Sequence, residues 1–166
     1  NSALIVIDIQ ENFLSKLPLA DREPLVERIA WIINVAKALK IPILATAEDV
    51  SHGVDMLPRL KALLPEGQTV FNKMVLSLYG QPDIRDALTA LNKKDLVLVG
   101  QETDVCVAQS AIDLVDAGYR VWVADDATGS PGPHHDSGLC RMRDAGVVVS
   151  GIKGIYYEWL RDVPSA

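Results

Sequence analysis

The chain reads as an α/β protein of three layers, with helices on both faces of a doubly wound, six-stranded parallel sheet. Three observations predict it. Short apolar runs alternate along the chain with longer segments of helical period. Glycine and proline fall at the junctions between the two kinds of segment, where caps and turns are expected. At 166 residues, 49% of them hydrophobic, the chain has the size of one domain that needs no disulfide or metal to hold its core.

The first strand covers residues 3–7, apolar at every position as a strand covered on both faces must be. Its apolar stretch is only seven residues long, holds Asp8 and lacks a basic leader, so it reads as a buried strand rather than a signal peptide or membrane span. A loop, 10–23, follows. The first helix, 24–39, has Pro24 in a permitted first-turn position and sets Leu25, Ile29, Ile32, Ile33, Ala36 and Leu39 on one stripe. It stops before Ile41-Pro42. Strands at 43–46, 69–71, 96–99, 121–124 and 147–150 then alternate with helices at 56–64, 82–91, 106–117 and 135–145. Gly118 and Gly146 stand where the last two of these helices need a C-terminal cap. A helix at 155–160 closes the chain. A second long loop, 125–134, carries Gly129, Pro131, Gly132 and Pro133. Right-handed βαβ crossovers stack these six strands into one sheet, so residues 1–166 form a single domain without linker, repeat or low-complexity tract.

Composition excludes several functions. Sixteen basic against twenty-two acidic residues give a net charge of −6, which repels phosphate backbones and anionic lipid, so neither nucleic acid nor membrane is an expected partner. The two cysteines, Cys106 and Cys140, follow no metal-ligand spacing and make no disulfide framework, which points to a reducing, cytoplasmic setting. No Gly-x-Gly-x-x-Gly or Walker loop is present, so the sheet carries no nucleotide signal and no cofactor is expected.

The stretch Gly100-Gln-Glu-Thr-Asp-Val-Cys106 joins strand 96–99 to helix 106–117 and puts a thiol on the first turn of that helix. Unpaired N–H groups and the helix dipole lower a thiol pKa there to roughly 3.5–7.5. The alternative is a cysteine packed as a small hydrophobe, which is the reading for Cys140 within its helix. Asp8 and Lys73 each fall at the carboxyl end of another strand, where open parallel sheets bind ligands. Taken singly, each is a capping carboxylate or a solvated lysine. Together they supply a base, a cation and a nucleophile at one sheet edge.

Three stretches now carry a resemblance. Ala3-Leu-Ile-Val-Ile-Asp-Ile-Gln10, Val70-Phe-Asn-Lys73 followed by Ser77, and Val99-Gly-Gln-Glu-Thr-Asp-Val-Cys-Val107 continuing to Val121 are similar to the isochorismatase-like cysteine hydrolases, among them nicotinamidases and carbamoylsarcosine amidases. The resemblance implies a catalytic triad of Asp8, Lys73 and Cys106 and a cis peptide at Gln101-Glu102. It also implies an oxyanion hole made by the backbone N–H groups of Glu102 and Cys106. It puts Phe13 at the pocket wall. Tyr79 and Gln101 are further substrate-binding candidates, with core packing the alternative for Phe13 and Tyr79. Glu102 departs from the alanine common in the family and brings a carboxylate toward the substrate path.

The implied chemistry is hydrolysis of an amide-like C–N bond in a small molecule, with Asp8 alternating as base and acid around a thioester on Cys106. The metal motif of nicotinamidases, Asp-x-His, is missing from Ala47-Glu-Asp-Val-Ser-His-Gly53, so His52 reads as a solvated loop residue and no metal is expected. His134 and His135 take structural roles at a helix start. Two alternatives stand beside this reading: a catalytically idle scaffold protein, and an enol-ether hydrolase with Asp8 as general acid. Trp31-Ile32-Ile33 and the cluster 155–160 offer apolar surface for self-association into a dimer or larger homo-oligomer.

Overall fold

The computed structural model describes residues 1–165. Six parallel strands, β1 (Ser2–Ile7), β2 (Ile43–Glu48), β3 (Val70–Lys73), β4 (Asp95–Gln101), β5 (Arg120–Gly129) and β6 (Val148–Ser150), form one sheet in the order β3-β2-β1-β4-β5-β6. Seven α-helices connect and close it: α1 (Glu11–Leu14), α2 (Leu19–Ala38), α3 (Pro58–Lys61), α4 (Pro82–Leu91), α5 (Ala108–Asp116), α6 (His134–Asp144) and α7 (Ile152–Leu160). The expected doubly wound α/β architecture is present, and its strand order reverses between β1 and β4.

The strand period of two divides the core cleanly. Leu4 and Val6 of β1 face one way with Val97 and Val99, and pack on Ile29, Ile32 and Ile33 of α2 and Ile155 of α7. Ala3, Ile5 and Ile7 face the other way with Leu96 and Leu98, against Ala108, Ala111 and Leu114 of α5 and Met142 of α6. Both faces of the central strands are therefore dry, which is why they read as unbroken apolar runs.

Several boundaries differ from expectation for identifiable reasons. Helix α2 begins at Leu19 and runs through Pro24, although that residue has no N–H to give the Ala20 carbonyl. An interior proline costs about 3 kcal/mol, but each fully buried aliphatic side chain returns about 1.5–3 kcal/mol. The buried stripe of Leu25, Val26, Ile29, Ile32 and Ile33 outweighs the one lost bond. Ile32 and Ile33 thus belong to the core, and only Trp31 of that run reaches the surface. The expected helix 56–64 shrinks to α3, because Met56 is held in an antiparallel bridge to Gln10 and Pro58 sets the helix start. Strand β5 extends five residues past its expected end and absorbs much of the second loop. Cys140 is exposed, not buried: the inward face of α6 is Gly138, Leu139 and Met142, and Cys140 lies off that stripe.

Glycine is required where β1 and β4 meet. Gly100 has φ +127°, and a Cβ there would lie 1.9 Å from the Ile7 carbonyl oxygen, so no side chain fits at the switch point. Above that point the chain leaves β1 at Asp8 and leaves β4 toward Cys106.

Candidate active site

Asp8 follows the last residue of β1 with φ +48°, a left-handed conformation that aspartate tolerates better than most residues. Its N–H donates to the Thr46 carbonyl at 3.1 Å, tying the turn to β2. The Thr46 hydroxyl donates to Asp8 Oδ1 at 2.7 Å, and Lys73 Nζ lies 2.9 Å from Oδ2. Lys73 ends β3 in register with Glu48 of β2. Strand β3 ends two residues later than expected, so Lys73 belongs to the strand rather than to the loop after it. Its ammonium also donates to the carbonyls of Val75 at 2.8 Å and Leu76 at 3.2 Å, which folds the segment after β3 over the charge. Asp8 and Lys73 are both fully buried.

Cys106 does not occupy the first turn of an α-helix. It sits in a wider π turn, Thr103–Val107, that precedes α5 and takes two bonds on the Glu102 carbonyl, from Val105 N–H at 3.2 Å and Val107 N–H at 3.1 Å. Thr103 Oγ1 lies 2.8 Å from His135 Nδ1, and Ser130 donates to Asp104 at 2.6 Å, so α6 and the end of β5 hold the turn in place. Gly138 lets α6 approach closely, since a Cβ there would be 2.8 Å from the Asp104 Cα. The peptide between Gln101 and Glu102 is cis. The Glu102 carboxylate turns to Lys16 at 2.7 Å.

The three residues expected at the sheet edge are brought together, and a fourth joins them. Cys106 Sγ donates to Glu48 Oε2 at 3.1 Å and lies 3.5 Å from Lys73 Nζ, while the same Glu48 oxygen is 3.4 Å from Lys73. Glu48 was legible by the rule that singled out Asp8 and Lys73, a charged residue at the carboxyl end of a strand. Ending the second strand at 46 hid it, because β2 runs two residues further. The backbone of Glu48 is clamped by buried Gln10, whose Nε2 donates to the Glu48 carbonyl at 2.9 Å and whose Oε1 accepts from its N–H at 2.7 Å.

The electrostatics differ from a ready-made thiolate. Burial, then the Asp8 charge and the bond to Glu48, push the Cys106 thiol above its ordinary range, and Lys73 pulls the other way. The sequence expectation of a lowered thiol pKa is corrected on that ground: the sulfur is enclosed beside two carboxylates, and a π turn replaces the expected helix end. Burial also raises Asp8, against the opposing pull of Lys73 and the hydrogen bonds from Thr46 and Cys106. For Lys73 burial acts downward, but Asp8, Cys106 and Glu48 outweigh it and hold the ammonium above its usual value. The site is a thiol beside a carboxylate acceptor, with a locked cation between them.

Donor atoms of Asp8, Glu48 and Cys106 lie within 4.8 Å of one another, close enough for a metal. The Lys73 ammonium stands 2.9 to 3.5 Å from all three residues, so it already supplies the positive charge that a metal would bring. His52 is remote in character, pairing with Asp49 at 2.6 Å on an exposed loop. A cavity of about 520 Å³ opens beside the cluster, lined by Glu48, Lys73, Met74, Leu76, Ser77 and Gln109 among others. The buried Ser77 hydroxyl has no partner among the described residues. Phe13 is buried with Lys16 over its ring at 4.9 Å. Tyr79 packs edge-on to Tyr119 at 6.3 Å within the core beneath α4 and α5. Gln101 is buried beside Gly129, and its side-chain amide atoms have no partner among the described residues.

Fold and site define a doubly wound α/β protein whose switch-point edge gathers a thiol, an ammonium and two carboxylates. The chain belongs to the isochorismatase family: the model of the isochorismatase domain matches residues 2–153. Isochorismatase family protein 2A of Dictyostelium discoideum is 31% identical over 96% of this chain and 82% of its own length. The crystal structure of YcaC from Escherichia coli, described as an octameric hydrolase of unknown specificity, superposes with TM-score 0.92 at 25% identity, covering all of this chain and 82% of that one. A Caenorhabditis elegans structure named MAR1 ribonuclease gives TM-score 0.88 at 29% identity, over 98% of this chain and 82% of that one. Among the described residues, no helix is long and apolar enough to cross a membrane.

Proposed function

We propose that the chain is a cysteine hydrolase that cleaves a carbon–nitrogen bond of a small amide-like molecule through a thioester on Cys106. The observation that carries the reading is the contact set of one sulfur: a carboxylate acceptor at 3.1 Å and a buried ammonium at 3.5 Å. A nucleophile, a proton acceptor and a fixed cation at these distances meet the geometric requirements of covalent acyl transfer.

In this mechanism the thiol proton passes to a site carboxylate as sulfur attacks the carbonyl carbon. Asp8 is that acceptor in the arrangement the family resemblance implies. Backbone N–H groups of Glu102 and Cys106 receive the oxyanion, and Lys73 holds the developing charge. The amine leaves with the proton, and water then hydrolyses the thioester with the same carboxylate as base. No cofactor enters. Burial and the acidic neighbours push the thiol up, so the carboxylate acceptor is needed as sulfur attacks.

Two other activities are weaker fits. Enol-ether hydrolysis needs an acid but no thiol, and gives Cys106 nothing to do. A ribonuclease, as one relative is named, must draw in phosphate, whereas this chain carries net charge −6 and gathers Asp8 and Glu48 at its site. The test is a panel of small primary amides and carbamoyl compounds, followed by ammonia release and intact-mass detection of an acyl group. Acylation mapped to Cys106 during turnover supports the reading; turnover with Cys106 never acylated removes it.

The chain is also proposed to self-associate. Trp31, Tyr156 and Tyr157 stack edge-on at 5.4 and 5.0 Å beside a surface cavity of about 540 Å³, with Tyr157 half exposed. The octameric relative supports a closed assembly. Light scattering is expected to give a mass several times that of the 18.1 kDa chain. A monomer at micromolar concentration would leave this face without a homo-oligomeric role.

A further inference from the structure

We infer that Glu48, rather than Asp8, carries the proton in both halves of the reaction, so that Asp8 serves to hold Lys73. The inference rests on the hydrolase reading above and assigns the base within it.

Three observations separate the two carboxylates. The first is contact: the Cys106 thiol donates to Glu48 Oε2 at 3.1 Å. Asp8 also reaches the thiol, but its side chain is enclosed and faces the Thr46 hydroxyl at 2.7 Å and the Lys73 ammonium at 2.9 Å. The second is access. The Asp8 side chain is 0% exposed, whereas that of Glu48 is 29% exposed and lines the cavity of about 520 Å³ beside the cluster. A base that must meet incoming water and a departing amine has to reach the space they occupy, and Glu48 does so while touching the sulfur. The third is placement. Gln10 grips the backbone of Glu48 on both its N–H and its carbonyl and also donates to the Val54 carbonyl at 2.8 Å. Glu48 is thereby fixed at the end of β2, with its carboxylate against the sulfur at the edge of the cavity.

The proton ledger closes on this residue. As the S–C bond forms, the thiol proton moves to Glu48 and the carbonyl π pair becomes the oxyanion. When the C–N bond breaks, Glu48 returns that proton to the amine nitrogen. Water then gives a proton to Glu48 as its oxygen bonds to carbon, and the departing sulfur takes the proton back. Asp8 stays paired with Lys73 and keeps the ammonium aimed at the sulfur. Glu48 touches the reacting atom and is a catalytic residue; Asp8 and Gln10 are positioning residues.

The test uses 4-nitrophenyl acetate, whose leaving group departs without a proton, so that acylation and deacylation separate. Wild type is expected to form acetyl-Cys106 and turn it over. Glu48→Gln should slow both the formation and the hydrolysis of acetyl-Cys106, each by about 10²–10⁴-fold, the usual worth of a general base. Glu48→Ala should be rescued by added formate, a small carboxylate that fits the vacated space; a merely structural role would give no rescue. Glu48→Gln that deacylates at the wild-type rate, or Glu48→Ala with no response to formate, overturns the assignment and leaves the hydrolase reading standing. Wild type that forms no acetyl-Cys106 overturns both.

Discussion

Replacing Cys106 by alanine is expected to abolish hydrolysis of any amide found as substrate, with a fall on the order of 10⁶ in turnover, as when a covalent nucleophile is removed from a hydrolase. The change deletes the sulfur that lies within reach of both the Glu48 carboxylate and the Lys73 ammonium. Folding should survive, because the side chain removed is small and its pocket is lined by Leu78, Val107 and other aliphatic neighbours of the same core. Circular dichroism and a urea melt would establish that the variant is native before its turnover is read. The alternatives part company at this residue. Enol-ether hydrolysis driven by a carboxylic acid keeps its rate in Cys106→Ala, and an idle scaffold has no rate to lose. Wild-type turnover by the alanine variant would therefore end the covalent mechanism.

Replacing Lys73 by methionine is expected to cost about 3–5 kcal/mol of stability, because it strands the Asp8 carboxylate in the interior. Methionine fills the volume of the lysine stem but removes the cation, leaving Asp8 with the neutral donors Thr46 and Cys106. Against a total of roughly 5–15 kcal/mol for an ordinary domain, that loss is large and shows as a lower urea midpoint. The double variant Asp8→Asn with Lys73→Met should recover part of it, since the stranded charge is then gone. The pH dependence has a definite sign. The neighbours hold Lys73 above its ordinary value, so its contribution is complete below the unfolded lysine pKa of about 10.4 and fades only as pH climbs through the higher folded value. The gap between wild type and Lys73→Met is thus full at neutral pH and narrows in strong alkali. Lys73 is also the group that draws the thiol downward, so its loss should slow iodoacetamide labelling of Cys106 further while exposed Cys140 labels as before. Equal midpoints for wild type and Lys73→Met would show that the buried pair does not support the fold.

The parallel sheet was legible because its central strands are buried on both faces and announce themselves as unbroken apolar runs. Asp8, Lys73 and Cys106 were legible for a related reason. Asp8 and Lys73 interrupt the apolar pattern at the carboxyl ends of strands, where a charge has no packing purpose, and Cys106 follows β4 where the next helical segment begins. Glu48 obeys the same rule, yet the run Ile43 to Thr46 fades into Ala47, too small to mark where the strand continues. Pro24 misled in the opposite direction. Local chemistry makes proline a helix start, and only the burial of the α2 stripe on β1 and β4 carries the helix through it.

The sequence by itself determined the layers, the doubly wound sheet and the edge at which Asp8, Lys73 and Cys106 gather. These follow from periodicity and from the cost of placing polar groups in apolar runs, both local properties of the chain. Tertiary structure alone decided the enclosure of the thiol beside carboxylates, the presence of Glu48 and the cover over Lys73. Those depend on which strand ends become neighbours: β1, β2, β3 and the turn after β4 arrive at one point from positions as far apart in sequence as Asp8 and Cys106. Charge, burial and hydrogen bonding at that point are sums over all four segments, and no one segment contains them.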